Sequence, residues 1–210
     1  MAKKEKKLTE KEQKRLEIYE EKAKALEEQG YTKKLMMVSP LMANLGSLLV
    51  TVPFVVLYVW AFLAICGKEP FSFIRDFTPI FLFLLCYIVL IVLHELIHGF
   101  TWKTFLKDKS VIEFGFNAAA FAPYCACTAP LTKSQYIWGA LMPTLWLGFL
   151  LGAVSIYASN AFLLVLSCGM MIGGGGDFLM IINLLKNKVS TKDVLYYDHP
   201  TEIGSVMFYR

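Results

Sequence analysis

The stretch that decides the fold is Leu-His-Glu-Leu-Ile-His-Gly, residues 93–99. It closes a run, Phe77 to Leu93, that contains no charged side chain. Such a run is typical of a helix that crosses a membrane, which needs about 20 mostly apolar residues. Two histidines and a glutamate at the end of such a segment are unusual, and they call for a chemical explanation.

The composition indicates several membrane spans. The chain has 210 residues, is 56% hydrophobic and carries a net charge of +4. Its N-terminal 35 residues hold 11 of the 21 Lys and Arg residues, whereas residues 35–67 and 134–176 hold no charged side chain. Both runs are long enough to cross a membrane. The N-terminal lysines alternate with glutamates, which indicates a solvated helix face and argues against a nucleic-acid partner.

We therefore predict an all-α polytopic membrane protein with about four transmembrane helices. The spans expected from the charge-free runs and their breaks are 45–66, 77–102, 136–156 and 161–185. A soluble N-terminal helix is expected over 9–29, because Thr9 and Glu12 form a capping-box pattern. The predicted organisation is a cytoplasmic charged helical segment (1–40), a membrane-embedded core (41–186) and a cytoplasmic C-terminal tail (187–210).

The distribution of lysines and arginines predicts the orientation of the chain. Cytoplasmic loops carry an excess of these residues. Segment 101–135 carries four lysines and the C-terminal tail is also basic, whereas segment 67–76 has only Lys68 and Arg75. We expect a multi-pass protein of the cell membrane with both termini and segment 101–135 in the cytoplasm.

Residues 111–127, between the second and third spans, have an unusual composition. They are too apolar for an ordinary loop and too few for two spanning helices. A β-hairpin that dips into the membrane and is shielded by the helices would satisfy its backbone hydrogen bonds. We therefore predict a membrane-associated β-hairpin between the second and third helices.

The chemistry of the opening stretch follows from helical geometry. On a helix His94 and His98 lie one turn apart on the same face, so both imidazoles can reach one metal ion. Glu95 lies beside them and can take a proton from water. This is the H-E-x-x-H zincin arrangement. The alternative is a purely structural Glu95–His pair, but an ionisable residue in a membrane span is by default functional.

Zinc requires a third protein ligand, and depth in the membrane points to Asp177. Asp177 precedes Lys186 by nine residues, and His94 precedes Lys103 by nine. The second and fourth spans are expected to be parallel, so both groups lie about 13–14 Å from the cytoplasmic boundary. Three alternatives remain in loops or the tail: Glu113, Glu202 and His199.

Two smaller patterns have both a structural and a functional interpretation. Four glycines at 173–176 precede Asp177, and they allow either close helix packing or room for a substrate backbone near the metal. Cys125 and Cys127 could bind a metal, although buried cysteine more often serves as a small hydrophobic residue.

These motifs resemble the site-2-protease class of intramembrane zinc metalloproteases, and more closely a bacterial membrane family of zincin peptidases. The resemblance rests on His94-Glu-Leu-Ile-His98, on "PLTKSQYIWGALMPTL" (130–145) and on Asp177, and covers roughly residues 77–186. It implies Zn²⁺ held by His94, His98 and Asp177, with Glu95 as the catalytic base. It also implies that the edge of the 111–127 hairpin clamps an extended substrate.

The chain departs from the class pattern at several positions. Met142 replaces the glycine before Pro143, Trp146 stands where the class has asparagine, and Asp177 follows the glycines instead of preceding one. The identity of the oxyanion-stabilising residue is therefore left open. The metal-ligand assignment does not depend on these positions.

Three functions compete at this stage. The leading one is a zinc metalloendopeptidase that cleaves membrane-spanning or membrane-associated peptides near the cytoplasmic face of the bilayer. The second is a catalytically inactive zinc-site membrane protein that acts as a binding partner or chaperone. The third, a metal transporter, is disfavoured because the chemical residues are confined to the cytoplasmic half of the spans.

Overall fold

The structure is a computed structural model that describes residues 8–68, 78–117 and 122–210. Arg75, which enters the orientation argument, and the tip of the hairpin lie outside the described residues. The helices are α1 (Glu10–Glu28), α2 (Pro40–Cys66), α3 (Thr78–Phe105), α4 (Lys133–Pro143), α5 (Leu151–Tyr157), α6 (Ala161–Gly173) and α7 (Gly175–Lys186). The strands are β1 (Thr32–Met37), β2 (Ile112–Asn117), β3 (Ala122–Cys127), β4 (Val194–Asp198) and β5 (Gly204–Tyr209).

Four long apolar helices form the body of the protein. Within the described ranges four segments are long and apolar enough to cross a membrane: Leu41–Cys66, Ile80–Phe105, Lys133–Tyr157 and Ala161–Lys186. The third consists of α4, a π-helical stretch (Thr144–Leu150) and α5, and the fourth consists of α6 and α7. The predicted number of such helices is thereby confirmed. Their lipid-compatible surfaces are extensive, since large apolar side chains along α2 and α3 are exposed.

Local sequence signals account for the starts of the helices. Thr9 and Glu12 form the expected capping box at α1, and Thr132 forms a second one with Gln135 at α4. Ser39 caps α2, and the side chain of Asn160 accepts a hydrogen bond from the backbone N–H of Leu163 at the start of α6. These side chains satisfy backbone donors that have no partner inside the helix. The break at 158–160 between the third and fourth long helices lies within the break that the sequence predicts between 156 and 161.

The predicted hairpin is present, and a second sheet was not predicted. Strands β2 and β3 pair antiparallel in continuous register from Ile112↔Cys127 to Asn117↔Ala122. The additional sheet has the order β1-β5-β4 and is antiparallel throughout. The protein is therefore mostly helical with two small sheets, rather than all-α. Residues 187–210, assigned from sequence to a tail, contain β4 and β5.

The N-terminal helix packs on this additional sheet. Tyr19 and Ala23 of α1 are buried in one cluster with Tyr197, Val206 and Phe208 of the strands. Lys22 Nζ donates to the Thr128 carbonyl just after β3 at 2.6 Å. Helix α1 is therefore attached both to the sheet and to the base of the hairpin.

The fourth long helix fits against its neighbours because of its glycines. A Cβ added at Gly175 would lie 2.9 Å from the backbone carbonyl oxygen of Ser47 in α2, whereas at Gly176 it would have no neighbour within 4 Å among the described residues. Contacts between Cβ atoms and backbone oxygens at that distance cannot be relieved by rotating a side chain. The close approach of α2 and α7 thus requires glycine at 175 and does not require it at 176.

We predict that Gly175→Ala destabilises the protein and that Gly176→Ala does not. Overpacking of a tight contact costs about 1–3 kcal/mol, which corresponds to a fall in Tm of several degrees for a chain of this size. Alanine at 176 should be neutral or slightly stabilising, because alanine favours the helix more than glycine does. Thermal unfolding of the two variants in the same detergent measures the difference, and equal Tm values would contradict the packing argument.

Candidate metal centre

Two histidines of α3 and one aspartate of α7 meet inside the helical bundle. His94 Nε2 lies 3.1 Å from Asp177 Oδ2, and His98 Nε2 lies 3.5 Å from the same oxygen. The two Nε2 atoms are themselves 3.1 Å apart. Within the described part of the chain this is the one group of at least three His, Cys, Asp or Glu residues that could hold a metal ion.

Helix geometry places each of these side chains. His94 and His98 are one turn apart on α3, and their rings meet edge to face with centroids 4.8 Å apart. Asp177 lies in the first turn of α7, directly after the glycines that bring this helix close to α2. The structure therefore brings together the three residues that the sequence analysis predicted as metal ligands.

The orientation of His98 is fixed by two neighbours. Its Nδ1 lies 2.8 Å from the carbonyl oxygen of Gly139 in α4. A carbonyl oxygen only accepts hydrogen bonds, so Nδ1 carries the proton and Nε2 of the neutral ring presents a lone pair. Trp102, one turn further along α3, stacks on the His98 ring at an interplanar angle of 16°. Metal-ligating histidines commonly have such a carbonyl partner behind them.

This donor set fits a zinc ion. Two imidazole nitrogens and one carboxylate oxygen are typical zinc ligands, and all three ligand atoms lie within 4.8 Å of one another. Both histidines are buried, at 7% and 5% exposure, and the Asp177 side chain is 26% exposed. Buried lone pairs that face one another at 3.1 Å need a shared proton or cation between them. In the described residues His94 Nδ1 is buried without a protein hydrogen-bond partner.

Glu95 is held between the centre and the hairpin. Its side chain is partly buried, and Oε2 accepts a hydrogen bond of 2.7 Å from the backbone N–H of Cys125 in β3. The hairpin packs on α3 at this point: a Cβ added at Gly99 would come within 2.3 Å of Phe114 in β2. One carboxylate oxygen of Glu95 is thus tied to the edge of the hairpin.

The alternative ligands lie elsewhere. His199 is in the turn between β4 and β5, where its Nδ1 accepts hydrogen bonds from the backbone N–H groups of Thr201 and Glu202. Glu113 is in β2. These residues are not part of the cluster formed by His94, His98 and Asp177.

The cysteines of the hairpin lie in surroundings that disfavour the thiolate. None of the five cysteines forms a disulfide. Burial raises the pKa of the Cys125 thiol and raises that of Cys127 to about 12. Only the thiolate is a strong nucleophile or metal ligand, so this environment suits a small packing residue.

Sequence reasoning missed four groups around the centre. They are Trp102, the Gly139 carbonyl, the Cys125 backbone N–H and Asp198. Asp198, at the end of β4, accepts a hydrogen bond of 2.7 Å from the Tyr136 hydroxyl of α4. Burial raises the pKa of the Asp198 carboxyl, against hydrogen bonds from Tyr136 and the Cys127 backbone that lower it. Trp102 could have been found from its spacing of four residues after His98; the backbone groups have no sequence signature.

Comparison with protein-family models gives a match. The family model described as "Putative zincin peptidase" matches residues 87–191, which is 105 residues and half of the chain. The matched range contains His94, Glu95, His98 and Asp177. No curated protein and no solved structure matches the chain significantly.

We predict that the purified protein binds about one zinc per chain through this cluster. Asp177→Ala should lose zinc nearly as completely as His94→Ala, because two imidazoles alone leave the site one protein ligand short. His199→Ala is the matched control, since it removes the third histidine of the chain without touching the cluster. Metal analysis of protein prepared without chelator measures this. Stoichiometric zinc in Asp177→Ala would refute the assignment of the third ligand.

Proposed function

The chain belongs to the family of zincin peptidases that its residues 87–191 match, and on that premise we propose that it is a zinc-dependent metalloendopeptidase of the site-2-protease type. Its substrates would be membrane-spanning or membrane-associated peptides, cleaved near the cytoplasmic face. The observation that carries the proposal is the convergence of His94, His98 and Asp177 beside Glu95, between helices apolar enough to cross a membrane.

In this proposal His94, His98 and Asp177 hold the zinc ion. Zinc, when bound, supplies Lewis-acid chemistry that lowers the pKa of water towards about 7 and polarises a carbonyl group. The Gly139 carbonyl and the Trp102 ring keep His98 in the tautomer and orientation that ligation requires. The two histidines and the aspartate leave room for a non-protein ligand, as a catalytic zinc site needs.

Glu95 is the proposed general base. It follows His94 directly, so it lies at the rim of the cluster, and its carboxylate can accept a proton from water as the water attacks the scissile carbonyl carbon. The same carboxyl group then returns the proton to the departing amine nitrogen, which restores the starting state. Positioned acid–base catalysis of this kind contributes about 10²–10⁴-fold to the rate.

The substrate would have to reach the site in an extended form. Peptide bonds within a helix are poorly accessible, so a substrate helix would unwind locally before cleavage. Helices α2 and α3 expose many large apolar side chains, which suits lateral approach through lipid. The β2–β3 hairpin lies against α3 beside Glu95, where an extended peptide would pass.

One departure from the class pattern has a structural counterpart. Trp146, which stands at the position of the class asparagine, lies in the π-helical stretch and is 55% exposed. A tryptophan has one N–H donor and no side-chain acceptor, so it does not replace the amide group of an asparagine. A backbone or side-chain donor elsewhere would have to stabilise the oxyanion.

We predict that Glu95→Gln keeps its zinc and loses turnover. Glutamine has nearly the same shape and can still accept the Cys125 hydrogen bond, but it cannot act as a base. Hydrolysis of fluorescein-labelled casein in detergent should fall at least about 100-fold, while metal content stays at the wild-type value. Phenanthroline should abolish, and added zinc should restore, the wild-type activity.

Two outcomes of this experiment would separate the candidate functions. An active Glu95→Gln variant would refute the proposed mechanism. Zinc-loaded wild type that hydrolyses neither casein nor extracted membrane proteins would favour the alternative, a catalytically inactive zinc-site protein that binds partners.

We also propose that both termini and the hairpin face the cytoplasm. This orientation is tested by replacing single lysines with cysteine in a variant from which the native cysteines have been removed. Cysteine introduced by Lys107→Cys should react only with a reagent on the cytoplasmic side, and cysteine introduced by Lys68→Cys only with one on the opposite side. The basis is the excess of lysines in segment 101–135. Labelling of both positions from one side of sealed vesicles would contradict the arrangement.

A further inference from the structure

The hydrogen-bond pattern of the hairpin determines which backbone groups face the metal centre. In an antiparallel pair, residues alternate between those that bond to the partner strand and those that point away from it. The Thr128 N–H donates to the Val111 carbonyl at 2.9 Å, and the register continues from there without interruption. Counting back from Thr128, Cys125 and Cys127 direct their N–H groups away from β2, to the outer edge of β3.

Both of these outward donors meet carboxylates. The Cys125 N–H donates to Glu95 Oε2 at 2.7 Å, and the Cys127 N–H faces the Asp198 carboxylate. Pro123, the preceding outward position, has no N–H to offer. Along residues 123–127 the outer edge of β3 is thus capped by two acidic side chains, one from α3 and one from β4.

Asp198 also connects this edge to the helix behind His98. Its Oδ1 accepts the Tyr136 hydroxyl at 2.7 Å. Tyr136 belongs to α4, and one turn further along α4 the Gly139 carbonyl faces His98 Nδ1. A pair of backbone hydrogen bonds of 2.9 and 2.8 Å between Leu131 and Tyr196 ties the same segments together.

We propose that the Cys125 backbone N–H is a positioning group for Glu95, and that Asp198 is the positioning residue that fixes the strand and the helix around the centre. A free glutamate side chain has three rotatable bonds. Holding one oxygen on a rigid strand leaves the other oxygen in a defined place beside the metal ligands. This inference rests on the proposed function for its catalytic meaning, but the contacts can be tested without turnover.

The first test is amide hydrogen exchange of the full-length protein in detergent, resolved at Cys125. Glu95→Gln keeps a neutral acceptor and should leave the Cys125 N–H largely protected. Glu95→Ala removes it, and exchange at Cys125 should become about 10-fold faster or more, because a charge-assisted hydrogen bond is lost. The Ala126 N–H, which faces β2, is the internal control and should not change. Equal exchange at Cys125 in all three proteins would overturn the proposal.

The second test removes the donor instead of the acceptor. Cys125→Pro lacks the N–H, and proline is tolerated on an outer edge because no ladder bond is broken. Cys125→Ala keeps the N–H and is the reference. Relative to Cys125→Ala, Cys125→Pro should hydrolyse fluorescein-labelled casein about 10-fold more slowly or worse through kcat, with equal KM and equal zinc. Equal kcat values would refute positioning by this group.

The role of Asp198 is tested by exchange at Cys125 and Cys127. Asp198→Ala should accelerate exchange at both amides, and Asp198→Asn, which keeps an acceptor, should restore most of the protection. If Asp198→Ala does not fold, Tyr136→Phe tests the link, because it removes the donor and keeps the ring. Unchanged exchange at Cys127 in the folded variant would overturn this part. If the wild-type protein shows the expected exchange pattern but hydrolyses no substrate, the proposed function is refuted and the positioning contacts are not.

Discussion

The architecture depends on one requirement: the polar side chains buried among the helices have to satisfy one another. His94, His98 and Asp177 come from two helices that otherwise consist almost entirely of apolar residues. An isolated charge or an unpaired imidazole in such surroundings costs several kcal/mol. Their mutual contacts, or a cation shared between them, offset that cost. The relative placement of α3 and α7 is therefore constrained by chemistry as well as by packing.

Small residues make these contacts geometrically possible. A Cβ at Gly139 would lie 1.7 Å from Trp102 Nε1, so glycine allows α4 to approach α3 closely enough for its carbonyl to reach His98. Gly175 allows the same closeness between α7 and α2. Close approach at small residues is the usual basis of helix association in membranes, where burial of apolar surface offers little driving force. Here it also brings the ligand atoms within reach of one another.

The sequence predicted what depends on local regularity. Charge-free runs identified the four long helices, and the rise per residue placed His94 and Asp177 at equal depth without any knowledge of tertiary contacts. The three-stranded sheet could not be predicted in this way. Its central pairing joins Thr32 to Tyr209, and strand pairing across most of the chain leaves no periodic pattern in either segment. The contact between Glu95 and the Cys125 N–H was equally hidden, because it uses a backbone group that every residue except proline possesses.

The strands have a common location that bears on how the centre works. Strand β1 leads into α2, the hairpin joins α3 to α4, and β4 follows α7. Because β1, β5 and β4 form one sheet and Leu131, just before α4, pairs with Tyr196 of β4, these junctions lie at the same end of the bundle. Lys103 and Lys186, close to that end, follow His94 and Asp177 by nine residues each. The strands therefore cover the end of the bundle that is nearest to the centre, and they also hold Glu95 through Cys125 and α4 through Asp198. Any displacement of this cover to admit a peptide would therefore change the position of the proposed base, so access and catalytic geometry are mechanically linked in this fold.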